Sequence, residues 1–301
     1  MSSRPFRFGV TAPGGASAQD WLDLARKVED LGYSTLLPTD HFRDQLTPLP
    51  AIMAAAGVTK RLRLGTLVLD NDFRHPAVLA KEAATIDLLT GGRLELGLGA
   101  GWLKADYEKA GLSFDAPGVR LARFMEAVEI IKRFLSGEEV TFQGKYYQVD
   151  KLNAFPPAEQ QPVPILIGGS GTKMLSFAAQ QANIVNISNR NWGLHFSTNF
   201  RSTLEILKGA AGSRYEQLEL NSTAWHVRVT GDVGAAAEEL AARMNVPPEA
   251  VLDSPSCLVG SAEAIVEQLQ ARREQFALSY WVIAGEAVDD FGPIVARLAG
   301  T

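Results

Sequence analysis

The sequence predicts an α/β protein built as a single (β/α)8 TIM barrel, and three observations lead there. Eight short apolar runs alternate with amphipathic helical stretches, the 301 residues suit a barrel in length, and no Gly-, Ser- or Pro-rich linker divides them. Strand–helix alternation enforces parallel pairing through right-handed crossovers, and eight such units can close on themselves. One domain spanning residues 1–301 is the expectation.

The first unit pairs a strand at Phe6–Thr11 with a helix at Ala18–Leu31, joined through Gly14-Gly15. Trp21, Leu22, Ala25, Val28 and Leu31 recur at helical spacing there, and Gly32 caps the helix. Strands at Ser34–Thr39 and Leu62–Leu69 follow, with helices at Leu49–Val58 and Pro76–Leu89, the latter opened by proline in its first turn. Arg93–Leu98 is the fourth strand, and the helix near Val119–Leu135 carries Phe124, Val128, Ile131 and Leu135 on one face. Residues 137–163 interrupt the pattern as an insertion: Val140–Phe142 and Tyr146–Val149 flank Gln143-Gly144-Lys145 as a hairpin, before a proline-containing loop. Alternation resumes with a strand at Val163–Ile167, a helix at Thr172–Gln181, a strand at Ile184–Ile187, a helix near Asn199–Ala210 and a strand within Leu220–Val229. Helices at Ala235–Met244 and Ala262–Phe276 bracket the segment Asp253–Val259, and Leu278–Ile283 is the eighth strand.

Charge and cysteine content remove several functions. The formal net charge of −5, with acidic and basic residues interspersed, offers no cationic surface for a nucleic acid. Cys257 is the only cysteine, which excludes an intrachain disulfide and fits a reducing, cytoplasmic location. The first thirty residues hold no signal-like apolar stretch, and no apolar run reaches membrane-spanning length, so no membrane partner is expected.

Chemistry concentrates where strands end. Gly97-Leu98-Gly99-Ala100-Gly101-Trp102 follows a strand, but Trp102 stands where a dinucleotide fingerprint needs its third glycine, so these glycines fit a tight turn. Gly168-Gly169-Ser170-Gly171 precedes a helix N-terminus, where free N–H groups favour an anion; a phosphate site and an ordinary βα turn both fit. It is neither a Walker loop nor a nucleophile elbow. Asp40-His41 closes the second strand at the face where barrel active sites are built, which suits acid–base chemistry or, more simply, a capping aspartate beside a packed histidine. His75 precedes Pro76 and reads as a loop anchor, while His195 and His226 lack neighbours at ligand spacing, so no metal site is expected. The glycosylation sequons Asn186-Ile187-Ser188 and Asn221-Ser222-Thr223 are incidental without secretion.

Taken in order, Thr39-Asp40-His41-Phe42, Gly65-Thr66-Leu67-Val68-Leu69 running to Arg74-His75-Pro76, and Thr90-Gly91-Gly92-Arg93 leading into Gly97–Trp102 resemble the luciferase-like monooxygenase family. The chain looks most like its deazaflavin branch, the coenzyme F-420-dependent oxidoreductases. The resemblance implies a barrel of the bacterial luciferase-like type with its cofactor ring at the C-terminal ends of the strands. Residue by residue, it sets Asp40 and His41 beside the reactive edge of the ring and Leu67-Val68, joined by a cis peptide, behind it. It sets Ala100-Gly101 near the ring and Gly169-Ser170-Gly171 near the tail phosphate.

The implied reaction is hydride transfer between F-420 and a small organic substrate, with His41 managing a proton and Asp40 supplying charge and orientation. Some deazaflavin enzymes that oxidise sugar phosphates carry glutamate where this chain has Trp102, so Trp102 turns the expectation toward an apolar or aromatic substrate. Flavin mononucleotide (FMN) users share the barrel, leaving an FMN-dependent monooxygenase as the alternative and a non-catalytic flavin-binding barrel behind it. The family often forms homodimers through the helices after the second and third strands.

Overall fold

The outer faces of the strands are too apolar to meet water, and helices from along the chain cover them. Residues 4–12, 17–187 and 196–301 are described in a computed structural model of the protein, so Gly14-Gly15, Ser188 and His195 lie outside the described residues. The elements are β1 (Arg7–Thr11), α1 (Ala18–Asp30), β2 (Thr35–Leu36), α2 (Pro48–Ala56), β3 (Arg63–Gly65), β4 (Leu69–Asp70), α3 (Pro76–Leu89) and β5 (Leu94–Gly99). Then come α4 (Lys104–Ala110), α5 (Pro117–Leu135), β6 (Val140–Gln143), β7 (Gln148–Leu152), β8 (Ile165–Gly169), α6 (Thr172–Gln181), β9 (Ile184–Ile187) and α7 (Phe196–Ala211). The last are β10 (Glu219–Ala224), β11 (His226–Val229), α8 (Val233–Met244), α9 (Pro248–Asp253), β12 (Cys257–Gly260), α10 (Ala262–Phe276), β13 (Leu278–Ala284) and α11 (Val288–Leu298).

Parallel pairing runs β3-β2-β1-β13-β10-β9-β8-β5, and β3 also pairs with β5, which closes the ring. β4 continues the third strand past the Leu67–Val68 peptide, so the barrel has the eight strands expected. Leu37, Leu67, Leu166, Ile184, Tyr280 and Val282 pack together inside it. Gly9 and Gly65 make room for Leu37, since a Cβ at either would come within 2.6 and 3.0 Å of its side chain. Phe8, Val10, Leu96, Ile167 and Trp281 belong instead to the larger core between strands and helices.

A charged network closes the N-terminal end. Glu95, fully enclosed, accepts from Arg7 Nη1 at 2.5 Å and Arg63 Nε at 2.6 Å, and Arg7 also forks onto Glu219. Burial works to raise the Glu95 carboxyl, but the two guanidinium groups hold it below the ordinary carboxylate range. Arg7 in turn lies 3.6 Å from the centroid of the Tyr280 ring.

Several elements differ from the sequence expectation for identifiable reasons. The strand expected at Ser34–Thr39 contracts to Thr35–Leu36, because Pro38 has no N–H for the ladder. The expected strand Leu62–Leu69 breaks into Arg63–Gly65 and Leu69–Asp70 around the cis Leu67–Val68 peptide. The hairpin turn comes later than expected, with Tyr146 and Tyr147 outside β7, because Glu126 of α5 accepts from the N–H groups of Lys145, Tyr146 and Tyr147. The run Leu220–Val229 divides: β10 stays in the barrel while β11 pairs with β12 in a separate two-stranded sheet. Helices α4 and α9, of seven and six residues, are too short to show a period and were not expected. Among the described residues no helix is long and apolar enough to cross a membrane.

Candidate active site

At the C-terminal end of the barrel the backbone itself makes the space. The Leu67–Val68 peptide is cis, and Val68 turns against β5 and β8, where it meets glycines. A Cβ at Gly99 would stand 2.7 Å from Val68 Cγ2, and one at Gly168 would stand 3.2 Å from Val68 Cγ1. Gly97 is required for another reason: its Cβ would fall 1.8 Å from the carbonyl oxygen of Thr66, whose hydroxyl bonds both the N–H and the C=O of Gly97. The glycine pattern in β5 thus follows from the broken third strand beside it.

Asp40 and His41 sit after β2, and each has a committed partner. Asp40 is buried and takes both Nη atoms of Arg74, at 2.5 and 3.1 Å, while Oδ2 also accepts the N–H of Asp70 at 3.0 Å. This is a neutralised, bidentate pair. His41 keeps 18% of its side chain exposed, places Nδ1 2.6 Å from Asp106 Oδ2, and meets Trp102 edge-on with ring centroids 5.8 Å apart. Trp102 itself is 54% exposed.

Between these groups lies a third carboxyl. Asp70 Oδ1 accepts from the N–H of Asp72 at 3.0 Å and from the Tyr107 hydroxyl at 2.9 Å, and Tyr107 also approaches Asp72 Oδ2 at 3.0 Å. Asp72 is forked by Arg123, but among the described residues Asp70 meets only neutral donors. Burial pushes the Asp70 carboxyl up from 3.8 to about 6 against those two donors, with the Asp72 and Asp40 charges adding to the rise. Gly101, at φ +73°, is required here because a Cβ would stand 1.9 Å from the Tyr107 oxygen and 2.5 Å from Asp70 Oδ2.

Across the mouth, Gly169-Ser170-Gly171 leads into α6, which has ten residues and no side-chain cap at Gly171. Lys173, in its first turn, is exposed. His75 is an anchor, as expected: its Nδ1 accepts the N–H of Ala77 and caps α3. No His, Cys, Asp and Glu cluster suited to a metal occurs among the described residues.

A family model described as luciferase-like monooxygenase matches residues 2–195. The chain belongs to the luciferase-like monooxygenase family. As a member it is an enzyme, and the closed parallel barrel is the fold of its structural neighbours. The F-420-dependent glucose-6-phosphate dehydrogenase of Nakamurella multipartita is 32% identical over 230 residues, covering 73% of this chain and 67% of that protein. The chain spans only about half the length of further dehydrogenases of the same description, 51–55% of each. Among solved structures, an F-420-dependent secondary alcohol dehydrogenase superposes with a TM-score of 0.81 at 18% identity, covering 98% of this chain and 99% of its own. The F-420-dependent tetrahydromethanopterin reductase of Methanopyrus kandleri gives 0.79 at 19%, with the same coverage.

Within this luciferase-like barrel, the structure brings Asp40, His41, Leu67, Val68, Ala100, Gly101 and Trp102 to one end, with Gly169, Ser170 and Gly171 on its rim. Sequence reasoning missed Asp70, Asp72, Asp106, Tyr107 and Arg123. Arg74 stood in the family motif without a role, and its bond to Asp40 joins residues 34 positions apart.

Proposed function

We propose that this enzyme transfers a hydride between coenzyme F-420 and a small, uncharged organic substrate of apolar or aromatic character. The observation that carries the reading is the glycine-lined bend at Val68, in a chain whose curated relatives include F-420-dependent dehydrogenases. The residues present fit such a cofactor. A flat ring needs an apolar backing and close backbone approach, which Val68, Ala100 and Gly101 would give. An anionic tail needs hydrogen-bond donors, which the uncapped N-terminus of α6 behind Gly169, Ser170 and Gly171 would give. When bound, the deazaflavin supplies a ring carbon that carries the hydride and disfavours one-electron and oxygen chemistry.

The chain's own residues manage the rest. His41 holds or receives the accompanying proton at Nε2, since Nδ1 faces Asp106. Asp40 orients the loop through Arg74 and the Asp70 N–H rather than as a free charge. Arg74 and Arg123 are both committed to carboxylates, so neither is available for a substrate phosphate. Trp102, beside His41 at the same end of the barrel, supports an apolar or aromatic substrate. We also propose a homodimer, because a groove of about 630 Å³ between α2 and α3 carries Leu49, Met53, Val78 and Ile86 beside the charged Lys81 and Glu82. Light scattering that gives a monomer mass at micromolar concentration would overturn that assembly.

Oxidation of reduced F-420 by enones and aromatic compounds, compared between the parent and His41→Ala, tests the chemistry. Turnover is expected to fall about 10²–10⁴-fold in the variant, the range for a lost acid–base group, with cofactor affinity little changed. Full turnover in His41→Ala would remove the proton role, and turnover confined to glucose 6-phosphate would remove the substrate class.

A further inference from the structure

The group behind His41 is itself chemically restrictive. Asp106 lies in α4, after β5, the fourth strand of the barrel, and is 2% exposed although it carries a carboxyl. Its two oxygens face two donors from the loop after β2. Oδ1 accepts the N–H of Phe42 at 3.2 Å, and Oδ2 stands 2.6 Å from His41 Nδ1. A backbone N–H can only donate. An ionised carboxyl can only accept, so the ring nitrogen turned toward it must carry the hydrogen. The other ring nitrogen, Nε2, is then the one with a lone pair in neutral His41.

We infer that Asp106 is a positioning residue that fixes both the plane and the tautomer of His41, so that Nε2 is the nitrogen available for proton transfer. The inference rests on the reading of His41 as the proton-handling group. Trp102 supports the same geometry, meeting the imidazole at an interplanar angle of 90° and limiting rotation of the ring. A carboxylate that only tied the loop down would need one oxygen, and Phe42 N–H already occupies it. The second bond does what the first cannot, because it decides which nitrogen is protonated.

The isosteric amide separates these roles. In Asp106→Asn only one of the two side-chain atoms accepts, so keeping the Phe42 bond turns the amide N–H₂ toward Nδ1. His41 must then accept there and carry its hydrogen on Nε2, which inverts the tautomer without emptying the site. Long-range ¹H–¹⁵N correlation spectra of cofactor-free protein, with the His41 signals identified by their loss in His41→Ala, read this directly. The parent is expected to show a protonated Nδ1 and a bare Nε2 in neutral His41, and Asp106→Asn the reverse. With F-420, Asp106→Asn should lower kcat about 10²-fold or more at a cofactor Kd within about twofold of the parent.

A parent tautomer with hydrogen on Nε2 would overturn the inference, and would do so even if Asp106→Asn failed to fold. Unchanged turnover in a variant with the inverted tautomer would also overturn it. Because the spectra need no cofactor, failure of F-420 to bind would leave the tautomer result standing and would count only against the proposed reaction.

Discussion

Among the described residues, Asp70 differs from its neighbours in having no cation of its own. Asp40 has Arg74 and Asp72 has Arg123, whereas Asp70 is held by a backbone N–H and a phenol, with burial and two nearby carboxylates opposing its ionisation. Its folded value of about 6 lies above the ordinary 3.8, so the native state binds the proton more tightly than the unfolded chain. The stability from this group is complete below about pH 4 and is lost as the pH rises through about 6. That difference corresponds to roughly 3 kcal/mol at most. Asp70→Asn keeps the shape and an acceptor for Tyr107 while removing the titration. Its melting temperature relative to the parent should therefore climb between about pH 4 and pH 7 and level off above, and a constant difference would show that Asp70 is not the titrating group. Asp40 and His41 were readable because adjacent residues formed a motif at a strand end. Asp106 was not, since its bond to His41 spans 65 positions and its helix has too few residues to reveal which face is buried.

The third strand and its neighbours carry a dependence that no single position shows. Because the Leu67–Val68 bend turns Val68 toward β5 and β8, those strands need glycine at residues 99 and 168. Gly99→Ala would set a Cβ 2.7 Å from Val68 Cγ2, and valine has little rotamer freedom with which to yield. Overpacking of this kind costs about 1–3 kcal/mol, and the displaced Val68 side chain would intrude on the proposed ring site. A folded Gly99→Ala protein is expected to bind F-420 at least tenfold more weakly by fluorescence titration. Parent-like affinity would detach the bend from the cofactor. The glycine-rich run was legible as a tight turn, and the cis peptide followed from the family resemblance, but the steric link between them needs coordinates. Helix α5 was legible in length and face, whereas Glu126, which sets the hairpin turn, was not, because its partners are backbone groups 19–21 residues away.

The whole barrel separates stability from chemistry along its axis. Its N-terminal end is locked by Glu95 with Arg7 and Arg63, and its C-terminal end holds the glycines, His41 and Trp102. That polarity follows from parallel strands, which present all their C-terminal ends on one side. Strand–helix alternation made the closed architecture legible in the sequence. The division of Leu220–Val229 between the barrel and a side sheet was not legible, because both halves are strand-like and only their partners differ.

The cofactor decides whether the C-terminal end works as proposed, and isothermal calorimetry of the purified protein with F-420 and with FMN in parallel tests it most directly. The glycine-lined site at Val68 fits either ring, and the F-420-dependent relatives decide the expectation: saturable 1:1 binding of F-420, at least tenfold tighter than FMN. Tighter binding of FMN, or no heat with F-420 at concentrations where FMN saturates, would contradict the proposed cofactor and make an oxygen-using flavin enzyme the better reading of this barrel.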